Sequence, residues 1–144
     1  MVLRLSLHLP EDFALLSLVR RQCRSFLEAL HIAEQAISDI ETVVGELACN
    51  AVSHGASPEY RVELECRVDR VVIRVVDEGP GFCLGEILPA GTPRTDHDGG
   101  ERVGGWGIPL VRSLADQVEF APNHPCGTAA RAEMRLRHAV TTPR

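Results

Sequence analysis

Hydrophobic and polar positions change period several times along the chain, and each change marks an element. Residues 2–9 alternate, with Leu3, Leu5, Leu7 and Leu9 on one face and Arg4, Ser6 and His8 on the other. That is the pattern of a half-buried strand. From Pro10 to about Leu30 the apolar positions Phe13, Leu16, Val19, Cys23, Phe26, Leu27 and Leu30 recur at helical spacing, with Glu11 and Asp12 at the favourable end. Arg20, Arg21 and Arg24 then face water or a partner. A second helix is expected over 32–54, where Ile40, Val43, Val44, Leu47, Ala48, Ala51 and Val52 make one broad stripe and Gly55 supplies the stop.

Two strands follow. In 60–68, Val62, Leu64, Cys66 and Val68 point one way, and Arg61, Glu63, Glu65 and Arg67 the other. Asp69-Arg70 turns the chain into 71–77, where Val71, Ile73, Val75 and Asp77 share the inner face and Arg74 marks the opposite one as wet. Residues 83–104 hold five glycines and two prolines without a sustained period, which reads as a lid or binding loop. A short helix over 108–115, a strand over 117–122 and a last strand from Thr128 to Leu136 complete the order. The expectation is an α+β fold, a two-layer α/β sandwich. Its mostly antiparallel mixed sheet is covered on one face by about three helices. One domain spans 1–138, followed by a frayed tail, 139–144.

Composition narrows the function classes. A net charge of −5 argues against nucleic acid or an anionic membrane as the main partner. No apolar run approaches the ~20 residues that span a bilayer, and the N-terminus does not read as a signal peptide. Cys23, Cys49, Cys66, Cys83 and Cys126 are odd in number and lack a Cys-x-x-Cys spacing, which suits reduced thiols in a cytoplasmic protein. All 15 basic side chains are arginine. Without lysine, neither a P-loop nor a eukaryotic-type protein kinase site can be built.

The chemistry-bearing residues cluster in four places. Glu46, Asn50 and His54 are spaced four apart, so they stack along one edge of the apolar stripe of the second helix. Asp77-Glu78-Gly79-Pro80-Gly81-Phe82 ends a strand with an acid and two glycines; the acid can accept from an exocyclic amine and the glycines let a flat ring approach. Gly104-Gly105-Trp106-Gly107 runs straight into a helix, where bare amides suit phosphate. Gly127-Thr128 opens the last strand, with the threonine facing inward. Taken alone, each reads equally as a solvated flank, an ordinary glycine turn or a core threonine.

Taken together, Glu46-x-x-x-Asn50, Asp77-x-Gly79-x-Gly81-Phe82, Gly105-x-Gly107 and Gly127-Thr128 resemble the N, G1, G2 and terminal motifs of the GHKL ATPase/kinase superfamily, the Bergerat fold. Within it, ELACNAVSHG and GGWGIPLVRSLADQVEF resemble the anti-sigma-factor serine/threonine kinases of bacterial partner-switching systems. The resemblance implies ATP and Mg²⁺ as cofactors, with Asn50 presenting its carbonyl oxygen to the metal. It makes Glu46 the base that takes a proton from an attacking hydroxyl and Asp77 the reader of the adenine amine. Thr128 would assist at the base edge. Gly79 and Gly81 would line the base, while Gly105, Gly107 and the following helix would hold the phosphates. Arg102, or else Arg94, would bring a lid arginine to the γ-phosphate; His54 reads either as a satisfied helix-end histidine or as a neighbour of the phosphates.

The function so implied is an ATP-dependent serine/threonine protein kinase acting as an anti-sigma factor. Its partners are a small anti-sigma-factor antagonist, which it phosphorylates, a sigma factor, and a second copy in a homodimer. Two alternatives stand beside it. One is a nucleotide-binding module that sequesters its partner without phosphotransfer. The other is a stand-alone histidine-kinase-type ATPase domain, for which the first helix offers no acceptor histidine.

Overall fold

In a computed structural model, which describes residues 1–54, 59–77, 93–95, 101–103, 107–122 and 127–136, the N-terminal alternation becomes β1 (Leu3–Pro10). Of residue 54 and of 93–95 and 101–103 it describes the backbone. Pro10 closes this strand and does not open the helix expected from it. The reason is local: the Asp12 side chain accepts from Ala14 N at 2.9 Å and starts a single 3-10 turn, Phe13–Leu15, before α1 (Leu16–Ala29). Phe13, expected on the buried face, is 42% exposed as a result. The helix ends with His31 in the left-handed region at φ 57, while Ile32 N bonds back to Leu27 O.

The second helix, α2 (Glu34–His54), packs against α1. Arg24, expected to face water or a partner, ties the two together. Its guanidinium reaches Glu41 at 2.7 Å, Glu34 at 2.9 Å and Glu28 at 3.2 Å. Four residues earlier, the Arg20 guanidinium lies over the bare backbone of Gly45, where a Cβ would stand 2.5 Å from Nε. The stop expected at Gly55 lies outside the described residues.

Next come β2 (Glu59–Cys66) and β3 (Arg70–Asp77), joined by a turn in which Arg67 N bonds Arg70 O and Val68 is left 70% exposed. Within the stretch read as a structureless lid, β4 (Pro93–Thr95) and β5 (Glu101–Val103) pair as a small separate sheet, a correction to that reading. Then follow α3 (Gly107–Leu114), β6 (Gln117–Pro122) and β7 (Thr128–Arg135). The main sheet has the order β1-β2-β3-β7-β6, and every described ladder is antiparallel, as the mostly antiparallel sheet expected from the alternation requires.

Helices cover one face of this sheet. Ile37, Ile40, Val43, Val44 and Leu47 of α2 meet Val62, Leu64, Val71 and Ile73 in a core from which water is excluded. Burying each such side chain stabilises the fold by about 1.5–3 kcal/mol before entropy is counted. The opposite face is not simply wet. Val72, Glu65 and Glu133 there are 3%, 4% and 9% exposed, because a lattice of arginines lies across them. Arg4, Arg67 and Arg74 bridge Glu65 at 3.1, 3.3 and 3.6 Å, and Arg70 and Arg131 bridge Glu133 at 2.9 and 3.0 Å. These bonds hold both carboxyls below the usual carboxylate range against the opposing effect of burial.

Candidate active site

The site is built where the C-terminal half of α2 meets the start of α3. Glu46 and Asn50, one helical turn apart, sit on the flank of α2 that turns toward Gly107, the first residue of α3. A Cβ added at Gly107 would stand 2.7 Å from Glu46 Oε2 and 4.0 Å from Asn50 Oδ1. Glycine is therefore what allows these side chains and the amide end of α3 to come together. Among the described residues no arginine bridges Glu46, unlike the carboxylates on the outer face.

The inner face of the sheet carries a row of polar side chains of its own. Asp77, at the end of β3, is 7% exposed and Thr128, at the start of β7, is 6% exposed. The β3–β7 register runs to Val76↔Ala129, so one step further sets Thr128 opposite Asp77. Gly127, at φ 98, lets the chain enter β7 at that point, a conformation in which a side chain would be strained.

One residue that strand parity could have exposed was passed over in the sequence. Tyr60 pairs with Asp77 across β2–β3, faces inward at 2% exposed, and extends the same row on its other side. Burial, with Glu11 and Cys49 nearby, pushes its hydroxyl up to about 12. Cys23, Cys49 and Cys66 are free thiols, and burial beside Glu41 raises Cys23 to about 12 as well.

Several expected site residues lie elsewhere or beyond description. Arg94 and Arg102 are direct register partners in the β4–β5 pair, so both arginines considered for the lid occupy one rung of it. Gly79, Gly81 and Gly105 lie outside the described residues; of His54 the backbone alone is described.

The donor set fits magnesium nucleotide chemistry. Asn50 Oδ1 is a hard neutral oxygen suited to a divalent cation, Glu46 is a carboxylate beside it, and the start of α3 offers amides. Among the described residues, a five-stranded antiparallel sheet with three helices on one face makes an α+β fold of the GHKL ATPase type. Residues 9–134 match the family described as histidine kinase-like ATPase domain, and the chain belongs to that family.

Relatives within reach of sequence comparison carry more specific names. The anti-sigma F factor of Oceanobacillus iheyensis is 27% identical over 121 residues, 81% of this chain and 82% of its own. The serine-protein kinase RsbW of Listeria monocytogenes is 29% identical over 130 residues, 81% and 78% of the two chains. Among solved structures, the RsbU and RsbW domains of Rv1364c from Mycobacterium tuberculosis share the fold at TM-score 0.65 and 20% identity. That match covers 93% of this chain and 32% of the longer one.

Proposed function

We propose that the chain is an ATP-dependent serine/threonine protein kinase that acts as a cytoplasmic anti-sigma factor and phosphorylates a small antagonist protein. The observation that carries this reading is the meeting of Glu46 and Asn50 at the glycine that opens α3. A binding module needs the amide and the helix start; a carboxylate one turn away, bridged by no described arginine, adds a proton acceptor. The names of the relatives support the partner class.

In this reading Asn50 holds Mg²⁺, Asp77 and Thr128 hold the adenine edge, and Gly79, Gly81, Gly105 and Gly107 line the nucleotide. Bound Mg²⁺ neutralises phosphate charge. Glu46 accepts the proton of the attacking hydroxyl, a role worth roughly 10²–10⁴ in rate. Arg102, with Arg94 on the same rung, supplies the lid cation. The protein works as a homodimer that binds a sigma factor and releases it on switching. Among the described residues no helix is long and apolar enough to cross a membrane.

Labelled Mg·ATP with the purified antagonist tests the reading. The parent is expected to transfer label to serine or threonine. Glu46→Gln should keep ATP affinity and lose transfer, whereas Asn50→Ala should lose both. Transfer by Glu46→Gln at the parental rate would overturn the base assignment. Nucleotide-dependent partner affinity with no labelled product would leave the sequestering module as the correct reading.

A further inference from the structure

At the end of the sheet remote from Asp77 lies a cleft of about 840 Å³. Asp77 ends β3, whereas Arg70, which begins it, lines the cleft, so the two lie roughly 20 Å apart at ~3.3 Å per residue. The start of α2, the end of α3 and the end of β7 form its walls. Ala36, Ile40, Leu114, Met134 and Leu136 supply apolar surface there, and Leu114 and Leu136 are only half-buried. Asp39, Asp69, Asp116 and Glu133 also line it, against Arg70 and Arg135, so carboxylates are in surplus. Arg70 serves Asp69 and Glu133 at 3.4 and 2.9 Å. Among the described residues no arginine side chain bridges Asp39 or Asp116. Asp39 accepts from Gln35 Nε2 at 3.1 Å and Asp116 from Arg135 N at 2.7 Å, which leaves each with acceptor capacity to spare.

We propose that this cleft is the docking site of the chain's own C-terminal segment, residues 137–144, which lies across it as an intramolecular strap. The place where the described chain stops argues for that occupant. Leu136 N donates to Asp69 O at 2.8 Å, so the last described residue is pinned at the rim and the segment sets off from the cleft itself. Eight residues reach about 26–29 Å when extended, which is ample to cross a cavity of this size. The chemistry is complementary. Arg137 and Arg144 are cationic with no acidic residue between them, the inverse of the surplus in the cleft, and Ala139 and Val140 suit its apolar surface. A tethered segment meets its site at an effective concentration on the order of millimolar, so contacts too few to hold a free peptide suffice. Docked there, the strap joins the start of α2 to the end of α3, the far ends of the two helices that meet at Glu46 and Gly107. It needs neither nucleotide nor partner, so it stands or falls separately from the kinase reading.

Nuclear magnetic resonance on the full chain without nucleotide tests it. Backbone order parameters over residues 138–142 are expected at about 0.8, close to those of rigid backbone. The Val140 methyl groups should show cross-peaks to those of Leu114. Reversing the tail charges, Arg137→Glu with Arg144→Glu, should erase the cross-peaks and drop the order parameters below about 0.6. Asp39→Arg, on the cleft side, should loosen the segment in the same way with circular dichroism unchanged. Order parameters below about 0.6 in the parent would overturn the proposal. So would an ordered segment without contact to Leu114, or one whose order survives the tail reversal or Asp39→Arg. Cross-peaks found only between chains in a mixed-label sample would give the cleft to a second copy and overturn it too. Should Asp39→Arg fail to fold, the tail variant, whose substitutions lie outside every described element, decides alone.

Discussion

Carboxylates lie on both sides of one sheet, and those of its outer face are handled differently from Glu46 on the helix side. On the outer face Glu65 and Glu133 are almost inaccessible, each held by two or more guanidinium groups from its own stretch of chain and from neighbouring strands. On the helix side Asp77 ends β3 in a row with Tyr60 and Thr128, and on α2 Glu46 turns toward Gly107 with no arginine among the described residues bridging it. Burial alone therefore does not mark a functional acid. What separates Glu65 and Glu133 from Glu46 is the supply of arginines among the described residues. Arginines saturate one face, whereas glycines at 107 and 127 open room on the other.

The sharpest way to break this contrast is to fill the room. Gly107→Val places a branched side chain where Glu46 Oε2 already stands 2.7 Å from a Cβ. Transfer activity is expected to fall by about 10² or more with the circular dichroism spectrum kept, since precise placement governs such chemistry. Activity within twofold of the parent would remove the junction from the site. Next comes a comparison of acids. Asp77→Asn should lower ATP affinity by about tenfold to a hundredfold in calorimetry, as a hydrogen bond to a charged group is worth about 1.5–3 kcal/mol. Glu65→Gln should leave that affinity alone and instead lower unfolding free energy by about 1 kcal/mol, because its arginine partners are largely solvated.

A smaller effect, of opposite sign, tests whether close approach at a glycine always means function. At Gly45 the obstructing group is the far end of the flexible Arg20 side chain, which can swing away. Gly45→Ala is therefore expected to stabilise the protein by about 0.5–1 kcal/mol through helix propensity, read from urea denaturation. The smallest effect is in pH. Glu65 and Glu133 have folded pKa values below their unfolded ones, so their contribution is complete above the ordinary carboxylate range. It is lost as pH falls through the lowered folded values. Parent and Glu65→Gln melting temperatures should accordingly converge on acidification.

Much of the architecture could be read from periodicity. Strict alternation located β1, β2, β3 and β7, and the apolar stripe located α2, because period 2 and period 3.6 leave different traces in a chain. The polar spacing of Glu46 and Asn50 was equally legible, since one helical turn is a local distance. Where α1 begins was misread, because an Asp12 side-chain bond to Ala14 N competes with the helix signal of Pro10. Tyr60 was passed over although its parity matches Val62 and Leu64; its importance lies in its neighbour Asp77 on another strand. The outer face looked wet for the same reason, since the arginines that bury Glu65 come from three separate stretches of chain.

By itself the chain determined the class of fold, the apolar and polar side of each element, and the residue types capable of metal, phosphate and proton chemistry, all of which depend on neighbours a few residues apart. Tertiary structure alone decided that Glu46 and Asn50 meet Gly107, that Asp77, Thr128 and Tyr60 share a row, and that Arg94 and Arg102 share a rung. Those pairings join residues tens of positions apart, and strand register and helix docking, which set them, are properties of the packed whole.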